Sequence, residues 1–139
     1  MTLSDQLIRD EGVRLFAYLD SRGYVTIGVG RCLDKNKGRG ITRNEAMVLL
    51  QNDIVWVKSE IASHLPWAAH LDDARMGVLC NMVFNLGMDG LLEFHDFLGH
   101  VQRGEYGDAA DAMLHSTWAG QVGDRATRLS RQMTDGVMY

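Results

Sequence analysis

Two segments rich in aromatic and β-branched residues flank one short polar turn. They are Arg14-Leu15-Phe16-Ala17-Tyr18-Leu19 and Tyr24-Val25-Thr26-Ile27-Gly28-Val29-Gly30, on either side of Asp20-Ser21-Arg22-Gly23. Asp first and Gly last favours a type I turn, so the stretch reads as a β-hairpin. A short third strand is expected near residues 31–34. If the turn pairs Leu19 with Tyr24, Thr26 falls opposite Ala17. This is the only strand-like stretch in the chain. Everything else that is periodic has the helical period, so the hairpin restricts the fold to a small sheet attached to helices.

The helical stretches carry their own boundary signals. Leu3, Leu7 and Ile8 share one face of a helix over residues 2–11, with Thr2 or Ser4 as its cap and Gly12 as its stop. Residues 35–40 form a polar loop. Thr42-Arg43-Asn44-Glu45 is a capping box. It opens a long helix reaching about His64, with Ala46, Leu50, Ile54, Val57 and Ile61 at spacings of three and four. Pro66 closes that region. Asp72 or Asp73 caps a helix over 73–86 that is apolar almost all round, as a helix buried in a bundle is, and Gly87 ends it. Further helices are predicted over 91–102, 105–115 and 124–134, the last capped by Asp124.

The fold class is α+β: a small N-terminal β-hairpin sheet lobe joined by a long helix to a helical C-terminal lobe, with a cleft between them. Residues 1–139 form one domain. Within it, 12–41 make the sheet lobe, 42–65 the interlobe helix, and 66–139 together with the N-terminal helix the helical lobe.

Composition excludes several classes of function. A chain of 139 residues buries roughly 68% of its unfolded surface and needs no disulfide or metal staple. Cys32 and Cys80 suggest no disulfide framework, and Cys80 reads as a small core residue. No run of about 18 apolar residues exists, so neither a membrane span nor stable membrane insertion is expected. The first residues lack the layout of a signal peptide. The net charge of −4 argues against a nucleic-acid partner, although a local basic patch is compatible with it. His64, His70, His95, His100 and His115 lack zinc-ligand spacing. Gly28-x-Gly30 lacks the third glycine and the helix of a dinucleotide site. No metal or cofactor is expected.

One segment, residues 11–30, combines acids, glycines and an exposed turn. Glu11 ends the first helix, Asp20 opens the hairpin turn and Thr26 lies on the returning strand. Glycoside hydrolysis needs two such carboxyl groups, one protonated to deliver a proton to the leaving oxygen and one ionised to order a water or stabilise positive charge. Each residue also has an ordinary reading: Glu11 as a solvated helix-end charge, Asp20 as a turn former, Thr26 as a strand former.

The spacing of Glu11, Asp20 and Thr26 resembles that of the phage-type lysozymes, glycoside hydrolase family 24. The flanking words Asp10-Glu11-Gly12, Gly23-Tyr24 and Thr26-Ile27-Gly28-Val29-Gly30 resemble them too. So do Asn81-Met82-Val83-Phe84-Asn85-Leu86-Gly87, Ser116-Thr117-Trp118 and Asp124-Arg125-Ala126, and the likeness covers nearly the whole chain. It implies a muramidase that cleaves the β-1,4 bond between N-acetylmuramic acid and N-acetylglucosamine in bacterial peptidoglycan. Glu11 would be the general acid, and Asp20 and Thr26 would hold the attacking water, giving inversion.

The resemblance further implies that Arg125 contacts Glu11, and that Arg31 pairs with Asp53. Arg31 stands where the family usually has a histidine, so that pair would not titrate near neutral pH. Leu33, Phe84 and Asn85 occupy cleft-lining positions, although Phe84 and Trp118 also read as plain core. The loop 35–40 is shorter than in the T-even phage enzymes. Arg125, Arg128 and Arg131 line one face of the last helix, either as a solvated face or to meet anionic polymer or lipid. A monomeric endolysin is implied, accumulating in the host bacterial cytoplasm and released to the wall at lysis. The alternatives are a catalytically silent peptidoglycan-binding module, a lytic transglycosylase, and a helical nucleic-acid-binding domain.

Overall fold

The computed structural model describes all 139 residues. They fold as two compact units, Met1–Leu50 and Gln51–Tyr139, in an α+β arrangement. The first unit begins with α1 (Leu3–Glu11), followed by strands β1 (Arg14–Leu19), β2 (Val25–Gly28) and β3 (Arg31–Cys32). Helix α2 (Arg43–His64) begins in this unit and continues into the second. Contacts thus group the first helix with the sheet.

Local chemistry sets these boundaries. The Thr2 hydroxyl accepts the Asp5 N–H at 3.1 Å, and the Asp5 carboxylate accepts the Thr2 N–H at 2.7 Å. This reciprocal box makes Thr2 the cap of α1. The box predicted at Thr42 is present: Glu45 N–H donates to Thr42 Oγ1 at 3.1 Å and Thr42 N–H to Glu45 Oε1 at 3.0 Å.

The sheet is antiparallel in the order β1-β2-β3. Its first turn has the predicted type I bond, Gly23 N–H donating to the Asp20 carbonyl at 2.9 Å. The register, however, is shifted by one residue. Gly23 has φ +84°, and this left-handed residue inserts a bulge after the turn. Leu19 therefore pairs with Val25, and Thr26 with Tyr18 rather than Ala17. The third strand covers only Arg31–Cys32, shorter than expected. After it, Asp34 Oδ1 accepts the N–H groups of Asn36 and Lys37 at 2.9 and 2.8 Å, and Gly40 N–H returns to the Cys32 carbonyl at 3.2 Å.

The second unit is helical. The rest of α2 is followed by a 3₁₀ turn (Pro66–His70), then α3 (Asp73–Leu92), α4 (His95–Gln102), α5 (Tyr106–Leu114), α6 (Thr117–Val122) and α7 (Asp124–Asp135). Ile61, Leu79, Met82, Phe97, Met113 and Met133 are fully buried at its centre. Asp72 caps α3, accepting the Arg75 N–H at 3.0 Å.

Several boundaries differ from expectation. Gly87 interrupts α3 with φ +75°, but one more helical turn follows it, to Leu92. The short α6 was not anticipated; Ser116 caps it by accepting the Ala119 N–H at 3.2 Å. Asp124 lies in the first turn of α7 rather than at its cap, which is Gly123 and has no side-chain hydrogen bond. Phe84 is exposed rather than core, and Trp118 is buried. Both cysteines are free thiols, and burial pushes the Cys80 thiol up.

Arg75 ties the ends of three helices together. Its Nε and Nη2 donate to the carbonyls of Met133 and Thr134 at 2.8 and 2.9 Å, satisfying the C-terminus of α7. The same guanidinium lies 3.7 Å from the centre of the Tyr106 ring and bonds Asp72 at 3.1 Å. A lysine has no planar fork with which to reach two carbonyls together. Arg75→Gln is expected to lower stability by about 2 kcal/mol, and Arg75→Lys to recover only part of it. Urea unfolding at neutral pH measures both.

Candidate active site

The three predicted catalytic residues all lie in the first unit, and backbone geometry fixes each of them. Glu11 is the last residue of α1, where Gly12 N–H closes the helix on the Ile8 carbonyl at 2.9 Å. From there its side chain reaches the β2–β3 turn. A Cβ placed on Gly30 would stand 3.0 Å from Glu11 Oε2. Gly30 also has φ +69°. Any side chain there would be strained and would push against the carboxyl. Glycine at position 30 therefore provides the space that Glu11 occupies.

Asp20 and Thr26 are both anchored on Tyr24. Asp20 Oδ1 accepts the Tyr24 N–H at 2.9 Å and the Arg22 N–H at 2.8 Å. The Thr26 hydroxyl donates to the Tyr24 carbonyl at 2.9 Å. That carbonyl also accepts the Asp20 N–H at 2.9 Å. One oxygen of Asp20 is thus committed to two backbone donors, and Oδ2 is open. Thr26 is only 3% exposed, at the centre of the sheet. With its proton held by a carbonyl, its hydroxyl presents lone pairs and acts as an acceptor. An open carboxylate oxygen and an oriented hydroxyl acceptor are suited to taking the protons of a water.

Arg31 finds its carboxylate on Glu45 rather than on the expected Asp53. Its Nη1 lies 2.8 Å from both Glu45 oxygens and 3.1 Å from the Gly40 carbonyl. The capping box explains the choice. Glu45 is already turned back toward Thr42, at the end of the loop that leaves β3, and so meets Arg31 within the same unit. Asp53 lies further along α2, exposed, in the second unit.

The remaining predicted residues are placed as follows. Leu33 is half-buried after β3, its N–H bonded to the Val25 carbonyl at 2.7 Å. In the second unit, Phe84 and Asn85 are exposed on α3. Asn85 Oδ1 accepts the Trp118 indole N–H at 2.7 Å. Arg125 donates through Nε to Asn81 Oδ1 at 2.8 Å and through Nη2 to the Asn81 carbonyl at 3.3 Å.

Sequence reasoning missed Tyr24, whose contribution is entirely backbone. It also missed the second role of Glu45, although the capping box had already marked that residue. Asn81 as the partner of Arg125 had no signal beyond its place in the apolar helix.

Residues 9–133 match the phage lysozyme family. A pre-baseplate central spike protein of Enterobacteria phage T4 is 32% identical over 98% of this chain, which spans 28% of that relative. An endolysin of Salmonella phage P22 is 36% identical over 86% of this chain and 83% of its own length. A probable T4-type lysozyme of Dictyostelium discoideum is 27% identical, with 99% and 96% covered. The chain belongs to the phage lysozyme family, whose members are glycoside hydrolases acting on peptidoglycan.

Gly30→Ala puts a methyl group against the Glu11 carboxyl on a strained backbone. It is expected to cost about 1 kcal/mol of stability and to lower peptidoglycan hydrolysis at least about tenfold, measured by turbidity and thermal unfolding.

The Arg31 guanidinium, with the Thr42 N–H, holds the Glu45 carboxyl down to about 2. A depressed carboxylate stabilises the fold fully above its unfolded value of about 4.3 and loses that contribution as pH falls through its folded value. The stability gap between the natural protein and Glu45→Gln should therefore be constant from pH 5 to 9 and close between about pH 4 and 2. A gap that closed near pH 7 would contradict the pairing with a permanently charged arginine.

Proposed function

We propose that this chain cleaves the β-1,4 bond between N-acetylmuramic acid and N-acetylglucosamine by acid-catalysed, inverting hydrolysis. The observation that carries the reading is the double anchoring of Asp20 and Thr26 on Tyr24. It leaves one carboxylate oxygen and one hydroxyl lone pair without a protein partner, the two acceptors that the proposed water would need.

In this mechanism Glu11 gives its proton to the glycosidic oxygen as the bond to the sugar lengthens. Positive charge develops on the sugar ring. The water held by Asp20 Oδ2 and the Thr26 hydroxyl attacks the anomeric carbon from the opposite face, and Asp20 takes the proton that water releases. Inversion requires roughly 6.5–9.5 Å between the two carboxyl groups, so that the water fits. Leu33 is proposed to touch the glycan within the first unit. No cofactor takes part.

The proposed role is lysis of the host cell: accumulation in the bacterial cytoplasm and release to the wall once another protein has breached the membrane. The relative named as an endolysin supports it, since most of that protein's length is matched. A second role has its own support. The relative of comparable identity is named as a spike protein, which favours a wall-cutting segment carried on the phage particle. Immunodetection in purified particles separates the two.

The test of the chemistry is hydrolysis of purified peptidoglycan by the natural chain and by Glu11→Gln, which keeps the shape and removes the transferable proton. Glu11→Gln is expected to lower the rate by about 10²–10⁴-fold with stability unchanged. Thr26→Ala is expected to lower kcat more than it raises KM, because the water rather than the glycan loses its partner. Retention on peptidoglycan with no turnover by the natural chain would identify a binding module. Equal turnover by Glu11→Gln would place the chemistry elsewhere.

A further inference from the structure

The chain is acidic overall, but its charge is unevenly divided. Residues 1–50 hold eight Lys and Arg against six Asp and Glu, and residues 51–139 hold six against twelve. The excess of the first unit is concentrated in one place. From Lys35 to Asn44 there is no acidic residue and there are four basic ones: Lys35, Lys37, Arg39 and Arg43. All four are exposed, and none has an ion-pair partner within the unit. This cluster has no part in the proposed chemistry.

The same loop borders a groove of about 600 Å³. Ile27, Val29, Ile41, Val48 and Leu49 line it, and Val48 is 60% and Leu49 52% exposed. The charges that reach the groove, Arg31 and Glu45, neutralise each other at 2.8 Å. The result is an open apolar trough with unpaired cations on the loop beside it. Its volume is that of a ligand site, and its exposed apolar lining marks an interaction surface.

We propose that this face, loop 35–41 with the first turns of α2, docks peripherally on an anionic lipid bilayer. Phosphate headgroups would meet Lys35, Lys37 and Arg39, and the outer ends of acyl chains would cover Ile41, Val48 and Leu49. Charge complementarity selects the partner. A saccharide or a carboxylate-bearing peptide would satisfy the cations and leave the aliphatic lining in water, whereas a bilayer surface takes both. No insertion across the bilayer is involved. No helix of the chain is long and apolar enough to cross one.

The test is co-sedimentation with phosphatidylglycerol–phosphatidylcholine vesicles and with pure phosphatidylcholine vesicles, at low and high salt. The natural chain is expected to bind the anionic vesicles only, and to be released by salt. Each cation removed is expected to weaken binding about 5-fold near an anionic surface, so Lys37→Gln with Arg39→Gln should cost on the order of 25-fold. Val48→Ser, which leaves the charge unchanged, should also weaken binding. Turnover of purified, lipid-free peptidoglycan should be unchanged in all of these variants, which separates this surface from the catalytic reading.

No vesicle binding, equal binding to both vesicle types, or binding indifferent to these substitutions would overturn the proposal. So would variants that keep vesicle binding but lose retention on peptidoglycan, since the loop would then contact the wall.

Discussion

The backbone of Tyr24 is the fixed point of the sheet unit. Its N–H binds Asp20 Oδ1, and its carbonyl receives both the Asp20 N–H and the Thr26 hydroxyl. These bonds require the register in which Leu19 faces Val25, and that register requires the extra residue at Gly23. A hairpin slipped by one residue would turn every side chain to the opposite face. Asp20 and Thr26 would then no longer share an anchor. The orientation of two polar side chains is thus a consequence of turn type, and turn type is a consequence of glycine in one position.

The second constraint is the close approach of Glu11 to Gly30. A helix end and a strand turn are held together with a carboxyl group between them, and the space exists because residue 30 has no side chain. Arg31, the next residue, is fixed by Glu45 and Gly40. The turn beneath Glu11 is therefore tied to the start of α2, and the same glutamate caps that helix. Stability and site geometry share residues here. Changes at Glu45 act on both.

Much of this was legible in the residues, because the signals were local. Asp20 through Gly23 specified a type I turn and Thr42 through Glu45 a capping box, and both are present with the expected bonds. The exact strand register was not legible. A type I turn followed by one left-handed glycine and a turn without it have the same four-residue signature. The partner of Arg31 was missed for a different reason: two acids on one helix compete for it, and only three-dimensional placement puts Glu45 within reach. The six-residue α6 is too short to show a period. Phe84 was ambiguous because an apolar helix does not reveal which of its residues its neighbours leave uncovered.

A water held by Asp20 and Thr26 opposite Glu11 would leave its mark on the stereochemistry of the product. The most direct measurement is the anomeric configuration of the first-formed product from a purified glycan, followed by proton NMR before mutarotation. Inversion yields an α-configured reducing end that appears first and then equilibrates. A β-configured product, or a 1,6-anhydromuramyl end with no water incorporated, would contradict it.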